Sequence, residues 1–225
     1  RMKRREFLKT SLAAGSALVL PSARILGAND DIRIGVIGIG SFVKIGGKGR
    51  GDIRDFRKIP GVRVVALCDC DRKHLDYEVN QFSKWGEKVK ACTDFREILD
   101  DKQIDAVSIT TPNHWHSLAT IWACQAGKDV YVEKPGSHNI WEGRKMVEAA
   151  AKYDRIVQHG VELRSSKALQ EAVHLLRNDI IGRVYMARGL VFRWRADIGD
   201  KGTEPVPKGL DYDLWLGPAA KRPFT

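Results

Sequence analysis

Ile32-Arg33-Ile34-Gly35-Val36-Ile37 runs without a break into Gly38-Ile39-Gly40, and the next apolar run, Val62-Arg63-Val64-Val65-Ala66-Leu67-Cys68, ends in Asp69. A strand, a glycine turn, a helix and a second strand ending in an acid describe a parallel βαβ unit of the dinucleotide-binding kind. Glycine lets the main chain turn tightly and approach a pyrophosphate, whose charge then meets the amino end of the following helix. Asp69 stands where an acid binds ribose hydroxyls and repels a 2′-phosphate, which favours NAD over NADP. The third glycine of the usual spacing is missing, because Val43 occupies its place. Residues Ser41 to Lys48 read as an inserted loop of about eight residues, a length typical of connections that carry function. Gly49 or Gly51 then restores a glycine at the helix start.

The βα rhythm continues along the chain. The pattern predicts a helix over 72–85, a short edge strand over Lys88–Ala91, and a capping box of Asp94 with Glu97 opening the next helix. Ile104 to Thr110 is the following strand, and it leads into Thr111-Pro112-Asn113-His114-Trp115-His116 before a helix predicted over Ser117–Ala126. In this loop Asn113 offers donor and acceptor and His116 offers a ring nitrogen to a hydroxyl or a cofactor, or else each caps the helix. His114 and His116 have no third ligand nearby, so no metal site is expected. Asn139 caps a helix with Ile140, Gly143, Met146, Val147, Ala150 and Ala151 at helical spacing, and Ile156–Gly160 is a sixth strand. Ser165–Asn178 reads as an amphipathic helix that packs through Leu169, Ala172, Val173 and Leu176. Gly182 to Trp194 alternates like one long strand.

The fifth strand carries the chemistry. Val130-Tyr131-Val132 suits a buried central strand, and it ends in Glu133-Lys134-Pro135. Ligands of open α/β sheets bind outside the carboxyl ends of the strands, where Glu133 and Lys134 lie. A desolvated lysine there trades a proton with a substrate hydroxyl, or else Glu133 and Lys134 are a surface pair at a strand end. Pro135 fixes the backbone behind it and is open to the cis form.

The formal charge of +10 invites a nucleic-acid reading, yet half of it, a net +5, falls within residues 1–28. The remaining cations form no basic stripe interleaved with aromatics, so no nucleic-acid partner is expected. Lys3-Arg4-Arg5-Glu6-Phe7-Leu8-Lys9 followed by a weakly apolar run to Leu20 resembles a twin-arginine export signal. That run stops at Pro21, short of the roughly 20 apolar residues of a membrane span. Periplasmic or secreted location is the expectation. Cys68, Cys70, Cys92 and Cys124 lack zinc-ligand spacing and read as small buried hydrophobes.

Taken together, Tyr131-Val132-Glu133-Lys134-Pro135, the Thr111-Pro112-Asn113 loop with His116, and Gly38-Ile39-Gly40 with Asp69 resemble the Gfo/Idh/MocA oxidoreductases. The tail Gly209-Leu210-Asp211-Tyr212-Asp213-Leu214-Trp215-Leu216-Gly217-Pro218 resembles their exported branch. The resemblance implies an α/β fold: a Rossmann-type doubly wound parallel sheet over 32–160 after a signal segment at 1–28. Residues 161–225 would begin an α/β C-terminal domain that covers the nicotinamide and drives homo-oligomer formation. It implies NAD as cofactor, bound by Gly38, Gly40, Gly49, Asp69, Thr111, Pro112, Asn113, His116, Glu133 and Lys134. Lys134 would be the catalytic group, sharing proton transfer with a histidine beyond residue 225, so the chain reads as an N-terminal fragment. The implied activity is hydride transfer between nicotinamide and a sugar or polyol carbon. A glycosidase that oxidises its sugar transiently, and a non-catalytic sugar-binding scaffold, stay open beside it. Two departures stand out: the Ser41–Lys48 insertion, and Glu162 where relatives carry an amide.

Overall fold

The computed structural model of the protein describes residues 31–43, 46–192, 194, 196, 197, 199 and 202–225. The export-signal reading of 1–28 lies outside the described residues. Six strands form one parallel sheet: β1 (Ile32–Ile37), β2 (Val62–Cys68), β3 (Lys90–Cys92), β4 (Ala106–Ile109), β5 (Asp129–Glu133) and β6 (Val157–Gly160). Their order is β3-β2-β1-β4-β5-β6, so the sheet winds outward in both directions from the β1/β4 boundary. At that boundary the flanking loops diverge and leave a crevice. This is the expected Rossmann-type arrangement.

Parallel pairing buries both faces, which is why the central strands are nearly continuous apolar runs. Ile37 pairs with Cys68 on one side and Ile109 on the other, and Ile109 pairs with Val132. Alternate residues feed two cores. Ile34 and Val36 pack with Ile53, Leu75 and Phe82 on one face. Ile37, Val107 and Ile109 pack with Ile98, Trp115 and Ala119 on the other. The helices between strands are α1 (Lys48–Phe56), α2 (Arg72–Lys84), α3 (Arg96–Asp100), α4 (Asn113–Gln125) and α5 (Ile140–Lys152). After β6 come a 3₁₀ turn at Glu162–Ser165, α6 (Lys167–Arg177) and α7 (Tyr212–Leu216).

Two buried charges stitch this layer together. Arg50 of α1 donates through Nε to Glu78 of α2 at 2.9 Å, and Glu78 is 0% exposed. Lys128 gives its ammonium to the carbonyls of Asp101 and Ile104 at 2.6 and 2.7 Å, closing the turn before β4. Burial pulls the Lys128 ammonium below its ordinary value.

Several local expectations change. α4 starts at Asn113, four residues before the predicted start, because Pro112 needs no N–H partner and its fixed φ suits a helix start. Asp94 accepts from the N–H of Arg96, so no capping box with Glu97 forms. Asn139 does cap α5, accepting from Glu142 N, but Met146 and Ala149 are its buried residues while Ile140 and Val147 face solvent. The predicted long strand over 182–194 does not form: the described residues there belong to no strand or ladder. Alternation states which residues would share a face; a strand also needs a neighbour to pair with. α6 likewise buries none of its residues, where packing was expected. All four cysteines are free thiols. No helix among the described residues is long and apolar enough to cross a membrane.

Candidate functional site

The carboxyl ends of β1, β2 and β4 border a first cavity of about 480 Å³. Its floor is the turn after β1, where Gly38 and Gly40 take φ of +84° and +76°, a region that side-chain-bearing residues avoid. The structure chooses between the two later glycines. A Cβ on Gly49 would stand 2.2 Å from the Gly38 carbonyl oxygen and 2.6 Å from Thr110 Oγ1, whereas one on Gly51 would meet nothing within 4 Å. Gly49 therefore brings the first turn of α1 onto the glycine turn, and the insertion is spliced in without displacing that contact.

Asp69 holds this turn in place. Its Oδ2 accepts from the N–H groups of Ile39 and Gly40, both at 2.9 Å, and its Oδ1 accepts from Asp71 N at 2.9 Å. Burial pushes its carboxyl above the ordinary carboxylate range, against the pull of these backbone donors. The acid expected to reach outward for ribose is thus folded onto the main chain, and each oxygen retains only its remaining lone pair. Next to it, burial followed by the Asp69 charge pushes the Cys70 thiol up to about 12.

A second cavity of about 530 Å³ lies over β4, β5 and β6 and carries Asn113, Glu133, Lys134, Gly160 and Glu162. Lys48, Thr110 and Thr111 line both cavities. Lys48 is the residue that the sequence did not single out. Its ammonium lies 3.0 Å from Asp52 Oδ1 and 3.3 Å from Glu133 Oε1, and it is hydrogen-bonded to Glu162. Burial pulls the Lys48 ammonium down, but Glu162, Asp52 and Glu133 outweigh it and the net shift is upward. Burial pushes Asp52 up, with Lys48 and Ser108 pulling the other way. The end of the loop read as an insertion, at Lys48, and the acid at 162 meet in one ion pair. Only the i, i+4 spacing of Lys48 and Asp52 gave a local signal of this cluster.

Glu133 is 5% exposed, and its Oε1 has no hydrogen bond despite the nearby ammonium. Thr111 Oγ1 is also buried without a partner. Lys134, by contrast, is exposed, so the desolvation expected for it is absent here; its peptide bond to Pro135 is cis. Pro112 sits at the start of α4 and lines the first cavity. His116 is 1% exposed and both ring nitrogens face backbone carbonyls, Pro135 O at 2.6 Å and Thr111 O at 2.8 Å. It ties the Lys134-Pro135 turn to the start of α4 and has no nitrogen left for a ligand. His114 goes elsewhere, to the Trp215 carbonyl at 2.9 Å. Among the described residues no cluster of His, Cys, Asp and Glu is placed to hold a metal ion.

Main chain bent by glycine, an acid beside it, and two adjacent cavities at the point where strand order reverses make a cradle that a Cβ would fill, as a dinucleotide requires. Comparison with known proteins agrees. The chain is 29% identical over 172 residues to glycosyl hydrolase family 109 protein 2 of Shewanella sp. (strain ANA-3), covering 65% of this chain and 36% of that protein. It is 27% identical over 160 residues to inositol 2-dehydrogenase of Salmonella paratyphi B, covering 70% of this chain and 45% of that one. The crystal structure of myo-inositol 2-dehydrogenase from Lactobacillus plantarum superposes with a TM-score of 0.60 at 27% identity, over 69% of this chain and 43% of that one. The chain thus spans less than half the length of these relatives. Residues 32–161, more than half of the chain, match the Gfo/Idh/MocA family, and the protein belongs to that oxidoreductase family with its NAD-binding Rossmann fold.

Proposed function

We propose that the protein is an NAD(P)-dependent oxidoreductase that moves a hydride between the nicotinamide and a carbon of a sugar or polyol. The observation that carries this reading is that the two cavities are adjacent and share Lys48, Thr110 and Thr111 as lining. A dinucleotide laid along the glycine turn puts its far end beside Glu133 and Lys134. When bound, it supplies the hydride acceptor or donor. The residues of this chain do the rest. Lys134 stands at the rim of the second cavity and passes the hydroxyl proton as the carbon is oxidised. Thr111 Oγ1 and Glu133 Oε1, buried and without hydrogen bonds, are the groups a polar ligand would satisfy. Asp69 keeps the cradle shaped and offers its spare lone pairs to ribose hydroxyls. That preference for NAD over NADP is part of the proposal. Asn113, at the first turn of α4, lies within the second cavity and offers an amide to the same ligand.

A second reading is favoured by the likeness to glycosyl hydrolase family 109 proteins. There the same relay would oxidise a sugar, allow elimination of its glycosidic substituent, and return the hydride. The leader-like residues 1–28 support export of the folded, loaded protein to the periplasm. Assembly into a homo-oligomer completes the reading.

The test is to denature the intact protein, purified without added cofactor, and identify any released nucleotide, then to titrate NAD and NADP into the emptied protein. Nucleotide near one per chain, or tight NAD binding, supports the oxidoreductase. Free NADH accumulating with a polyol separates it from the glycosidase, which accumulates none. No bound nucleotide and no titration would leave a scaffold role in its place.

A further inference from the structure

The family match ends at residue 161, yet one wall of the first cavity comes from much later in the chain. Leu210, Leu214 and Trp215 line it, facing Phe95, Pro112 and Trp115. The segment that carries them is fastened on two sides. Toward β2, Arg72 N donates to Gly209 O at 3.0 Å, Asp211 N donates to Cys70 O at 2.9 Å, and Leu210 pairs with Asp71 in an antiparallel bridge. Toward β4, the Trp115 indole N–H donates to Leu214 O at 3.0 Å and a His114 ring nitrogen meets the Trp215 carbonyl. Asp211 caps α7, accepting from Leu214 N at 2.9 Å. Gly217 closes the segment with φ of +48°, and a Cβ there would come within 2.1 Å of the Trp115 ring.

The segment therefore bridges the loop after β2 and the start of α4. Between them lies the half of the crevice on the β1-β2-β3 side, away from Lys134. The chemistry of that half is specific. Its deep surface is apolar and aromatic, supplied by Ile37, Phe95, Trp115, Leu214 and Trp215, and Asp69 and Asp71 stand at its edge. Among the described residues no arginine lines it; its lysine, Lys48, is at the junction with the second cavity, and His74 is its one histidine among those residues. A flat, uncharged heterocycle joined to a hydroxylated sugar fits such a slot; a phosphorylated ribose would meet the Asp69 and Asp71 carboxylates there.

We propose that Leu210, Leu214 and Trp215 form the wall against which the adenine ring of the dinucleotide lies. The inference rests on the cofactor reading above and assigns this part of the site to residues outside the Rossmann match. The segment gives only its main-chain atoms to its bonds with the two flanking loops, and the Trp215 ring, stacked on Tyr212 and met edge-on by His114, is held in a fixed plane at the cavity wall. Base stacking on such a platform is tolerant of small shifts and sensitive to its removal.

The experiment is calorimetric titration of the intact protein with NAD, with ADP-ribose and with nicotinamide mononucleotide, which lacks the adenine. Trp215→Ala is expected to weaken ADP-ribose binding about tenfold, the order seen when an aromatic platform under a base is removed. Nicotinamide mononucleotide binding stays as in the wild type, and Trp215→Phe retains most of the ADP-ribose affinity. Leu210→Ser, which leaves the hydrogen bonds of the segment in place, carries the same expectation should Trp215→Ala lower the unfolding midpoint. ADP-ribose binding unchanged in both variants overturns the wall while leaving the cofactor reading intact. Wild-type protein that binds neither NAD nor ADP-ribose overturns the cofactor reading, and the wall with it.

Discussion

The two sides of the sheet's carboxyl edge are built from different materials. On the β1-β2-β3 side the surface is main chain backed by apolar side chains: glycines at positive φ, N–H groups of Ile39 and Gly40 on the Asp69 carboxylate, and a peptide bridge from Leu210 to Asp71. On the β4-β5-β6 side it is charged side chains, with Lys48 facing Asp52, Glu133 and Glu162, and Lys134 at the rim. A main-chain surface is intolerant of added atoms. A surface of ion pairs accepts changes of shape and responds to loss of charge. One side suits the invariant part of a cofactor, the other a substrate that differs from one relative to the next.

The largest effect is expected at the charged exception within the first side. Glu78→Ala leaves the Arg50 guanidinium, in its largely buried site, without a counter-charge. Unfolding in urea should show a loss of about 3–5 kcal/mol, and Arg50→Met with Glu78→Leu together should recover most of it. An effect near zero would mean that side is held by main chain alone. Gly49→Ala comes next. Its Cβ would collide with the Gly38 carbonyl, so NAD affinity of the intact protein should fall about 100-fold, close to 2.7 kcal/mol. Gly51→Ala, with open space around it, should leave affinity unchanged.

Lys48→Met sharpens the comparison from the other side. Without its cation, the Glu133 and Glu162 carboxylates repel each other beside Lys134. Turnover should drop about tenfold, with NAD affinity within about threefold of wild type and much of the turnover restored in Lys48→Arg. A parallel fall in NAD affinity would move Lys48 to the cofactor side. The smallest effect is a matter of pH. The folded-state value of Asp52 is raised above the unfolded value of about 3.9. Its favourable contribution is therefore present below about pH 4 and lost as pH rises through the folded value. At neutral pH the charge is a cost that Asp52→Asn removes. Thermal unfolding should give a midpoint about 2 °C higher for the variant at pH 7, with no gain near pH 4.

The sheet was legible because buried parallel strands write themselves as short β-branched runs, and all six strands stand within a few residues of their expected places. The glycine turn was legible for the same local reason, but Gly49 and Gly51 could be separated only by the space around each Cβ. Three features were not local. His116 is spent on the carbonyls of Thr111 and Pro135, and nothing in a histidine's neighbours along the chain says which carbonyls lie above its ring. Lys48 and Glu162 are 114 positions apart, so their pairing leaves no periodic trace. The 182–194 stretch alternates as a strand does, but pairing depends on a neighbour that alternation does not supply.

The peptide bridge between Asp71 and Leu210 also orders events in time. Synthesis proceeds from the N-terminus, and early domains fold as they emerge. The glycine turn, the acid that fixes it and all six strands are made before residues 209–217. Until that segment arrives, the first cavity lacks the wall that Leu210, Leu214 and Trp215 supply. This wall of the first cavity is thus a late addition to a sheet whose six strands are already made.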